Sequence, residues 1–480
     1  MMKGKVFSNM LWRFAERCGA YLVSFIVSIV LARILGPEAY GTIALITVFT
    51  TILQVFVDSG LGNALIQKKN ADDIDFSTVF YTNIAFCLIL YLILFFCAPI
   101  IANFYDNGDL VLLTRVLGLT IIISGVKNIQ QAYVSKHLLF KKFFFATLAG
   151  TIGAAVVGIL MALNGYGVWA LVAQQLFNLT VDSLVLWITV KWRPIKAFSF
   201  KRLKGLFSYG WKLLASSVLD TVYNNIRQLV IGKKYSSSDL AFYNKAKQFP
   251  NLIVMNVNSS IDSVLLPTMS KEQDDKEKVK NMTRRAIKTS VYIMAPLMMG
   301  LAFTGNNIIK LLLTDKWLPC VPFLYIFCIT YMFYPIHTAN LNAIKAMGRS
   351  DLFLKLEIIK KVIGIILLLF TMNISVMAMA YSLIASSILS QIINSWPNRK
   401  LLNYGYLQQI KDILPSIILS IIMGVLIYLI NYIGLSSIIT LIIQVTAGII
   451  IYIGLSKLFK IDSFNYILEI IKGFKKKKGK

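Results

Sequence analysis

Apolar stretches of the length of a membrane-spanning helix follow one another along almost the entire chain. Each is close to the ~20 residues that a helix needs to cross about 30 Å of hydrocarbon. The composition agrees, because 57% of the residues are hydrophobic and only 15% are charged, whereas soluble domains carry about 25% charged residues. We therefore predict an all-α integral membrane protein with about 14 transmembrane helices. The predicted spans are residues 12–35, 42–66, 77–102, 110–134, 145–163, 168–190, 209–232, 240–266, 288–313, 319–344, 352–372, 374–396, 412–431 and 436–456.

The distribution of lysine and arginine predicts how these spans are oriented. Cytoplasmic loops of membrane proteins are enriched in both residues. Of the 49 Lys and Arg residues, 33 lie in the N-terminal arm, the even-numbered loops and the C-terminal tail, whereas Lys233, Lys234 and Lys316 are the three in the loops on the other side. Both termini are therefore predicted to be cytoplasmic. The four lysines at 475–478 are expected to contact anionic membrane lipids and not nucleic acid.

The sequence also contains signs of an internal two-fold repeat. Transporters built from two related halves show weak internal similarity of this kind. A basic segment at residues 191–204, which contains Pro194, lies where such a repeat would place the boundary. Three anchors recur about two hundred residues later: Trp12, Tyr40 and Asp58 return as Trp211, Tyr243 and Asp262.

These patterns predict two pseudo-symmetric lobes followed by extra helices. Each lobe would contain six spans, and the last two spans would lie outside the repeat. The predicted parts are an N-terminal six-helix lobe at residues 1–195, a basic interfacial linker at 196–208, a C-terminal six-helix lobe at 209–400, two additional transmembrane helices at 401–458 and a basic cytoplasmic tail at 459–480.

No sequence motif indicates catalysis. The chain has no phosphate-binding loop, nucleophile elbow or HExxH motif, and its predicted external loops are too short to form a catalytic domain. Its five cysteines are scattered without metal-ligand spacing. We expect no enzymatic activity, no metal and no bound cofactor. Because no nucleotide site exists either, a proton, a sodium ion or the membrane potential would have to drive any transport.

Ionisable residues inside the predicted spans are the main functional candidates. Burying such a group at mid-membrane costs at least ~2.5–3.5 kcal/mol, so it should face protein or a hydrated cavity. Groups near span ends can instead extend to the lipid headgroups. Helical spacing places polar residues of the first and seventh spans on one face each, which predicts a polar cavity shared by the two halves. The two faces comprise Arg13, Arg17, Ser24 and Ser28, and Lys212, Asp220, Asn224 and Arg227.

The balance of charge predicts which ligand such a cavity prefers. We count 13 cations and six acids within the spans. A cavity with this excess of positive charge favours an anionic ligand, and arginine in particular suits phosphate oxygens. Arg115 and Lys127 in the fourth span would extend the cavity.

Asp58 and Asp262 occupy equivalent places in the two halves, late in the second and eighth spans. Each could pair with a cation on a neighbouring helix and so stabilise its lobe. The alternative is a role in gating or in binding the coupling proton or sodium ion, for which Asp220 is a third candidate.

Two longer motifs carry a family resemblance. Residues 31–41 (LARILGPEAYG) and 56–69 (FVDSGLGNALIQKK) resemble the signature of bacterial polysaccharide flippases of the Wzx type. Further similar segments are 242–246, 266–270 and 346–351, so that the resemblance spans roughly residues 8–400. It is strongest toward exporters of lipopolysaccharide, colanic acid and teichuronic acid.

The resemblance implies a fold and a substrate. Members of this family share the fold of the MOP superfamily, in which two six-helix lobes form a V around a central cavity. They move undecaprenyl-diphosphate oligosaccharides across the bacterial cytoplasmic membrane by alternating access, for surface polysaccharides such as O-antigen and exopolysaccharide. They work beside a polymerase and a chain-length regulator.

The combined hypothesis is a flippase whose cationic cavity receives the head group. Two alternatives stay open. A cation-coupled multidrug extruder of the same superfamily would prefer an acidic cavity, and a non-transporting scaffold would act through its basic loops. The candidates for contact with a sugar acid or the diphosphate are Arg17, Arg33, Lys212 and Arg227, followed by Arg115 and Lys127.

Overall fold

The computed structural model describes the backbone of residues 2–58 and 60–478, and the side chains of these residues except 2–11, 13–18, 209, 470, 471 and 473–478. All regular secondary structure in this part of the chain is helical. By their internal contacts the residues form two compact units, Met1–Ala241 and Phe242–Lys480.

The first unit contains eight helices and the start of a ninth within the described residues. Long apolar segments become helices because a chain in hydrocarbon must satisfy every backbone N–H and C=O group internally. In chain order the helices are α1 (Met2–Ile34), α2 (Pro37–Asp58), α3 (Leu61–Gln67), α4 (Asp73–Phe104), α5 (Leu110–Lys136), α6 (Phe140–Leu163), α7 (Val168–Thr189), α8 (Phe200–Lys234) and α9 (Ser237–Lys271).

Glycines set several of the helix contacts in this unit. Helix α6 packs against α1 and α7, and α5 packs against α2, α4 and α7. A Cβ atom at Gly150 of α6 would lie only 2.8 Å from the carbonyl oxygen of Asn178 in α7. Helix α8 lies along α2, α3 and α4, and a Cβ at Gly210 would lie 3.1 Å from the backbone of Gly60. Small residues allow helix backbones to approach this closely.

The segment between α7 and α8 is fixed to the beginning of α4. The backbone N–H of Ile195 donates to the Ser77 hydroxyl at 3.0 Å, and that of Ser199 donates to Thr78 at 3.1 Å. Residues 67–76, 134–142 and 190–204 together form what we call the lysine-rich end of the unit, which is the end predicted to be cytoplasmic.

A cluster of ion pairs stabilises the lysine-rich end. Asp72 caps α4, and its side chain and that of Asp75 accept reciprocal backbone hydrogen bonds. Arg202 at the start of α8 pairs with Asp72 and lies 3.4 Å from the buried Asp75. Lys68 contacts the other oxygen of Asp75 at 2.6 Å. The cluster therefore links α3, α4 and α8.

The second unit contains the rest of α9 and nine further α-helices, with two short 3-10 helices at Asp315–Cys320 and Ile430–Ile433. The α-helices are α10 (Lys276–Phe303), α11 (Gly305–Leu313), α12 (Val321–Met332), α13 (Tyr334–Ala346), α14 (Ser350–Thr371), α15 (Val376–Leu401), α16 (Tyr406–Leu429), α17 (Ser437–Leu458) and α18 (Asp462–Lys478).

Buried polar groups join α16 to the helices of the second unit. Helix α16 packs along α10 and against α17. Gln409 of α16 donates to Asn340 of α13 at 2.9 Å, and Asn398 of α15 donates to the same amide at 2.7 Å. At the edge of the unit Arg284 forms a bidentate pair with Asp412, with both distances 2.7 Å. The last two predicted spans thus belong to this unit.

The structure bears out a polytopic helical membrane protein. Within the described residues, eleven helices are long and apolar enough to cross a membrane. The fourteen predicted spans all coincide with helical segments, but α1, α8 and α14 are not among the eleven. Helices α8 and α14 carry several charges, such as Lys212 and Lys360, which lower their hydropathy. The count of fourteen and the orientation of the termini stay predictions.

By its contacts α8 groups with the first unit, which ends at Ala241. The sequence predicted the lobe boundary earlier, at residues 196–208, and that boundary stays a prediction.

Candidate functional site

A polar pocket of about 670 Å³ lies within the first unit. Helices α2, α3, α5 and α7 supply most of its wall, and carboxamides and hydroxyls predominate among the polar groups that they present. The polar lining residues are Thr47, Thr50, Thr51, Gln54, Asp58, Asn63, Thr120, Ser124, Lys127, Asn128, Gln131, Ser135 and Gln175.

Asp58 is held in this pocket by two amides. Gln54, one turn earlier on α2, donates to one carboxylate oxygen at 3.1 Å, and Asn128 of α5 donates to the other at 3.2 Å. Gly62 makes room for this contact, because a Cβ there would lie 2.7 Å from the Asn128 side-chain oxygen. The carboxylate is therefore fixed in position by neutral donors.

Lys127 pairs with a second acid behind the pocket wall. Its ammonium lies 2.7 Å from Asp182 of α7, and the two side chains are only 13% and 8% exposed. The other oxygen of Asp182 is buried and accepts no hydrogen bond from the described residues. Lys127 thus neutralises Asp182, and Asp58 remains the one acid that lines the described pocket.

Several polar side chains that line the pocket have no hydrogen-bond partner among the described residues. The side chains of Gln131, Gln175, Ser124 and Ser135 line it and form no hydrogen bond with other described residues. An amide offers both a donor and an acceptor, and a hydroxyl offers both as well. This arrangement can therefore bind a ligand that is itself rich in hydroxyl or amide groups.

The second unit contains an equivalent carboxylate–amide pair. Asn342 of α13 donates to Asp262 of α9 at 2.9 Å, as Asn128 does to Asp58 in the first unit. In both units the acid lies on the second span of the predicted repeat and the amide on the fourth. The two halves of the predicted repeat therefore contain equivalent side-chain contacts. Within the described residues, neither acid forms a direct ion pair with a neighbouring cation, which the sequence had suggested as one alternative.

Among the described residues, the predicted candidates Arg33 and Arg115 do not line this pocket. The side chain of Arg17 lies outside the described residues, and Arg33 is exposed at the end of α1. Arg115 lies over the ring of Phe95 at 4.1 Å, twelve residues or about 18 Å along α5 from Lys127. The roles predicted for these arginines stay predictions.

The candidates on α8 are largely exposed in the unit. Lys212 and Asp220 are exposed and Arg227 is half-buried, and none of the three lines the polar pocket. Of the nine predicted site residues, the pocket brings together Asp58 and Lys127. The substrate roles of Lys212 and Arg227, and the coupling role of Asp220, likewise stay predictions.

Comparison with known protein families identifies the family to which this protein belongs. Residues 30–322 match the model of a family described as polysaccharide biosynthesis protein. The protein belongs to this family. The matched region includes both motifs at residues 31–41 and 56–69, so the resemblance drawn from them is confirmed.

Individual members of the polysaccharide biosynthesis family are similar over most of their length. The teichuronic acid biosynthesis protein TuaB of Bacillus subtilis is 24% identical over 79% of each chain. The lipopolysaccharide biosynthesis protein WzxC of Escherichia coli is 23% identical over 83% of each chain. The chain is accordingly a multi-pass transporter of the bacterial cytoplasmic membrane.

Solved structures establish the fold. The lipid II flippase MurJ in an inward closed conformation superposes with a TM-score of 0.74, at 18% identity, covering 94% of this chain and 98% of that one. An inward-facing MATE multidrug transporter of the MOP superfamily superposes with a TM-score of 0.64, at 15% identity, over 79% and 94% of the two chains. The chain therefore has a helical fold like that of MurJ and of this MATE transporter.

The sequence analysis did not identify the amide side chains that line the polar pocket. Charges inside spans are conspicuous, whereas Asn and Gln follow no spacing rule. A usable signal was present in α5, where Ser124, the adjacent Lys127 and Asn128, Gln131 and Ser135 follow one another at helical spacing. Such spacing marks one polar helix face in an otherwise apolar segment.

Proposed function

We propose that this protein is a flippase that moves an undecaprenyl-diphosphate-linked oligosaccharide from the inner to the outer leaflet by alternating access. The observation that carries the proposal is the polar pocket of about 670 Å³ within a bundle of apolar helices. Uncommitted polar groups are expensive in such a bundle unless a hydrophilic ligand or water satisfies them.

The chemistry of the pocket suits a glycan head group. Sugar hydroxyls donate and accept hydrogen bonds, as do the amides of Gln131 and Gln175 that face the pocket. Its volume is within the roughly 300–1,000 Å³ typical of ligand sites. The family membership and the MurJ-like fold support the same substrate class. A polymerase and a chain-length regulator would then act on the transported unit.

The driving force is proposed to be a proton or a sodium ion that acts at Asp58. This carboxylate has only neutral hydrogen-bond donors, so a bound cation would compensate its charge. A cation-coupled drug extruder could use the same acid. The two activities are distinguished by whether a strain that lacks the protein loses surface polymer or gains drug sensitivity.

The head-group assignment is tested with Asn128→Leu and Gln131→Leu. Both substitutions preserve approximate size and remove hydrogen-bonding groups, so we expect loss of surface polysaccharide and accumulation of the lipid-linked unit at the inner leaflet. The matched control is Asn164→Leu, because Asn164 bonds only the carbonyl of Leu160 at the end of α6 and lies outside the pocket.

The readout is the rate at which the lipid-linked oligosaccharide becomes accessible on the far side of reconstituted vesicles, normalised to folded protein. Wild-type rates in both pocket variants would refute the proposed head-group site.

A further inference from the structure

A second cavity, about 470 Å³ in volume, lies between α8 and the helices α2, α3 and α4 of the first unit. We call it the apolar groove. One wall is a single face of α8, since its lining residues there recur every three or four positions. That face comprises Phe200, Leu203, Lys204, Phe207, Gly210, Trp211 and Leu214.

The groove offers a ligand hardly any hydrogen bonds. Its opposite wall includes Phe56, Leu61 and Phe86. The polar residues there are already engaged, because Thr82 donates to the carbonyl of Thr78 at 2.8 Å and Asn83 donates to that of Gly125 at 3.1 Å. A ligand buried in the groove must therefore be a hydrocarbon.

One cation marks the lysine-rich end of the groove. Lys204 is the only charged residue among the described lining residues, and its side chain is exposed. It lies six residues, or about 9 Å along the helix axis, from Gly210. A chain bound in the groove would therefore have a positive charge near one end, which is complementary to an anionic amphiphile.

The groove and the polar pocket lie on opposite faces of α2. On α2, Phe56 faces the groove, while Gln54 and Asp58 face the pocket, as helical periodicity requires. The two cavities approach each other where α2 ends and α3 begins. A Cβ at Gly60 would meet no atom within 4 Å outside its own chain neighbours, so there is open space beside Gly60.

We infer that the groove and the pocket together form one binding site for an amphiphile. The first isoprene units of a polyprenyl chain occupy the apolar groove, the sugars occupy the polar pocket, and the diphosphate lies beside Gly60, where the two linings adjoin, on the side of Lys204. This inference rests on the proposed function and assigns the chain of the substrate to a defined place in the first unit.

The position of the apolar groove beside the polar pocket favours a lipid-linked glycan over a membrane phospholipid as the ligand. A phospholipid that entered the groove would leave the amide pocket unused, because its small head group remains at the interface. A glycan joined to a chain through a diphosphate uses both cavities and the gap between them.

Photolabelling tests the site without requiring transport. Full-length protein in phosphatidylglycerol-containing nanodiscs is exposed to a polyprenyl diphosphate whose first isoprene units carry a diazirine, and the labelled peptides are mapped. We expect labels on α4 and α8 that unlabelled undecaprenyl diphosphate displaces and added phosphatidylglycerol does not.

Two variants on α8 sharpen this experiment. Leu214→Trp fills the groove and should lower labelling about tenfold, because excluding two buried methylene groups removes roughly that much affinity. The control is Leu219→Trp, on the same helix but 68% exposed and outside the groove lining. It should label like wild type.

Lys204→Gln tests the contribution of the ligand's anionic end separately from that of its hydrocarbon chain. It should weaken competition by undecaprenyl diphosphate while leaving competition by uncharged undecaprenol unchanged, which a loss of folding would not do. If competition by both compounds were weakened equally, Lys204 would not interact with the diphosphate and would not be part of the site.

The outcomes also separate this inference from the proposed function. Labelling that phosphatidylglycerol displaces, or labelling equal in the Leu214 and Leu219 variants, overturns the inference whatever the protein transports. If the protein were labelled specifically but did not move a lipid-linked oligosaccharide between leaflets, the polyprenyl site would stand. The proposed flippase activity would then be refuted.

Discussion

At the scale of single residues, the pocket is organised by how its charges are compensated. Lys127 lines the pocket and pairs with Asp182, and the substrate contact that the sequence suggested for it stays a prediction. Asp58 is held by amides, and its carboxyl group lines the pocket. The polar residues that line the pocket are consequently amides, hydroxyls, one carboxylate and the paired Lys127.

The buried pair predicts a large and mutually dependent effect on stability. Lys127→Met or Asp182→Asn alone should destabilise the protein by ~3–5 kcal/mol, because each leaves an uncompensated buried charge. The double variant should recover most of this loss, since neither charge then remains. Unfolding in mixed detergent micelles measures all three.

The matched control for that cycle is Lys310→Met. Lys310 and Asp315 form a pair 3.4 Å apart whose side chains are 55% and 69% exposed, and exposed pairs contribute only about 0–1 kcal/mol. Additive losses in the Lys127 and Asp182 double variant would show that the two residues stabilise the fold independently.

At the scale of elements, hydropathy predicted helices well and their ends less well. Predicted spans begin at residues 209 and 288, whereas α8 begins at Phe200 and α10 at Lys276. Both helices continue beyond their apolar part as polar turns, which hydropathy does not detect but backbone hydrogen bonding favours. The ion pairs of the lysine-rich end could not be predicted either, since the contact of Asp72 with Arg202 depends on tertiary packing.

The Asp72–Arg202 pair predicts a pH dependence of stability. The Arg202 guanidinium, together with the backbone N–H of Asp75, lowers the pKa of Asp72 from 3.8 to about 2. A carboxyl group with a lowered pKa in the folded state stabilises that state above its unfolded pKa, and the contribution is lost as the pH falls through the folded value. The window is therefore from about pH 4 down to about pH 2.

Asp72→Asn isolates this effect because asparagine still caps a helix but carries no charge. The difference in melting temperature between wild type and Asp72→Asn should be constant above about pH 4 and shrink toward zero near pH 2. Other acids titrate in both proteins and cancel in the difference. A gap that did not change with pH would mean that the charge of Asp72 contributes nothing.

At the scale of the whole molecule, the sequence repeat predicted the two related acids, and the structure adds an amide partner to each. Asp58 with Asn128 and Asp262 with Asn342 are the equivalent pairs. The acids could be found from the sequence because a charge in an apolar span is rare. Their partners could not, since many Asn and Gln residues are equally compatible with a span.

The proposed alternating access would require the end opposite the lysine-rich one to open, and two glycines lie at close contacts at that end of the first unit. A Cβ at Gly41 of α2 would lie 1.8 Å from the backbone oxygen of Ser237 at the start of α9, whereas a Cβ at Gly232 would lie 2.1 Å from the end of the Leu45 side chain. A side-chain tip can rotate away, but a backbone carbonyl cannot. Gly41→Ala should therefore separate α2 from α9, and Gly232→Ala should be tolerated.

A cysteine at the buried Leu240 reports this opening through its reaction with a charged maleimide, above the background of the native cysteines. Gly41→Ala should raise the reaction rate about fivefold or more, because ~1–2 kcal/mol against the closed form changes its population by that factor. Gly232→Ala should leave the rate near that of the parent. If both variants reacted alike, the close approach at Gly41 would not be what keeps this end closed, and α2 would have to be held by contacts further along α8.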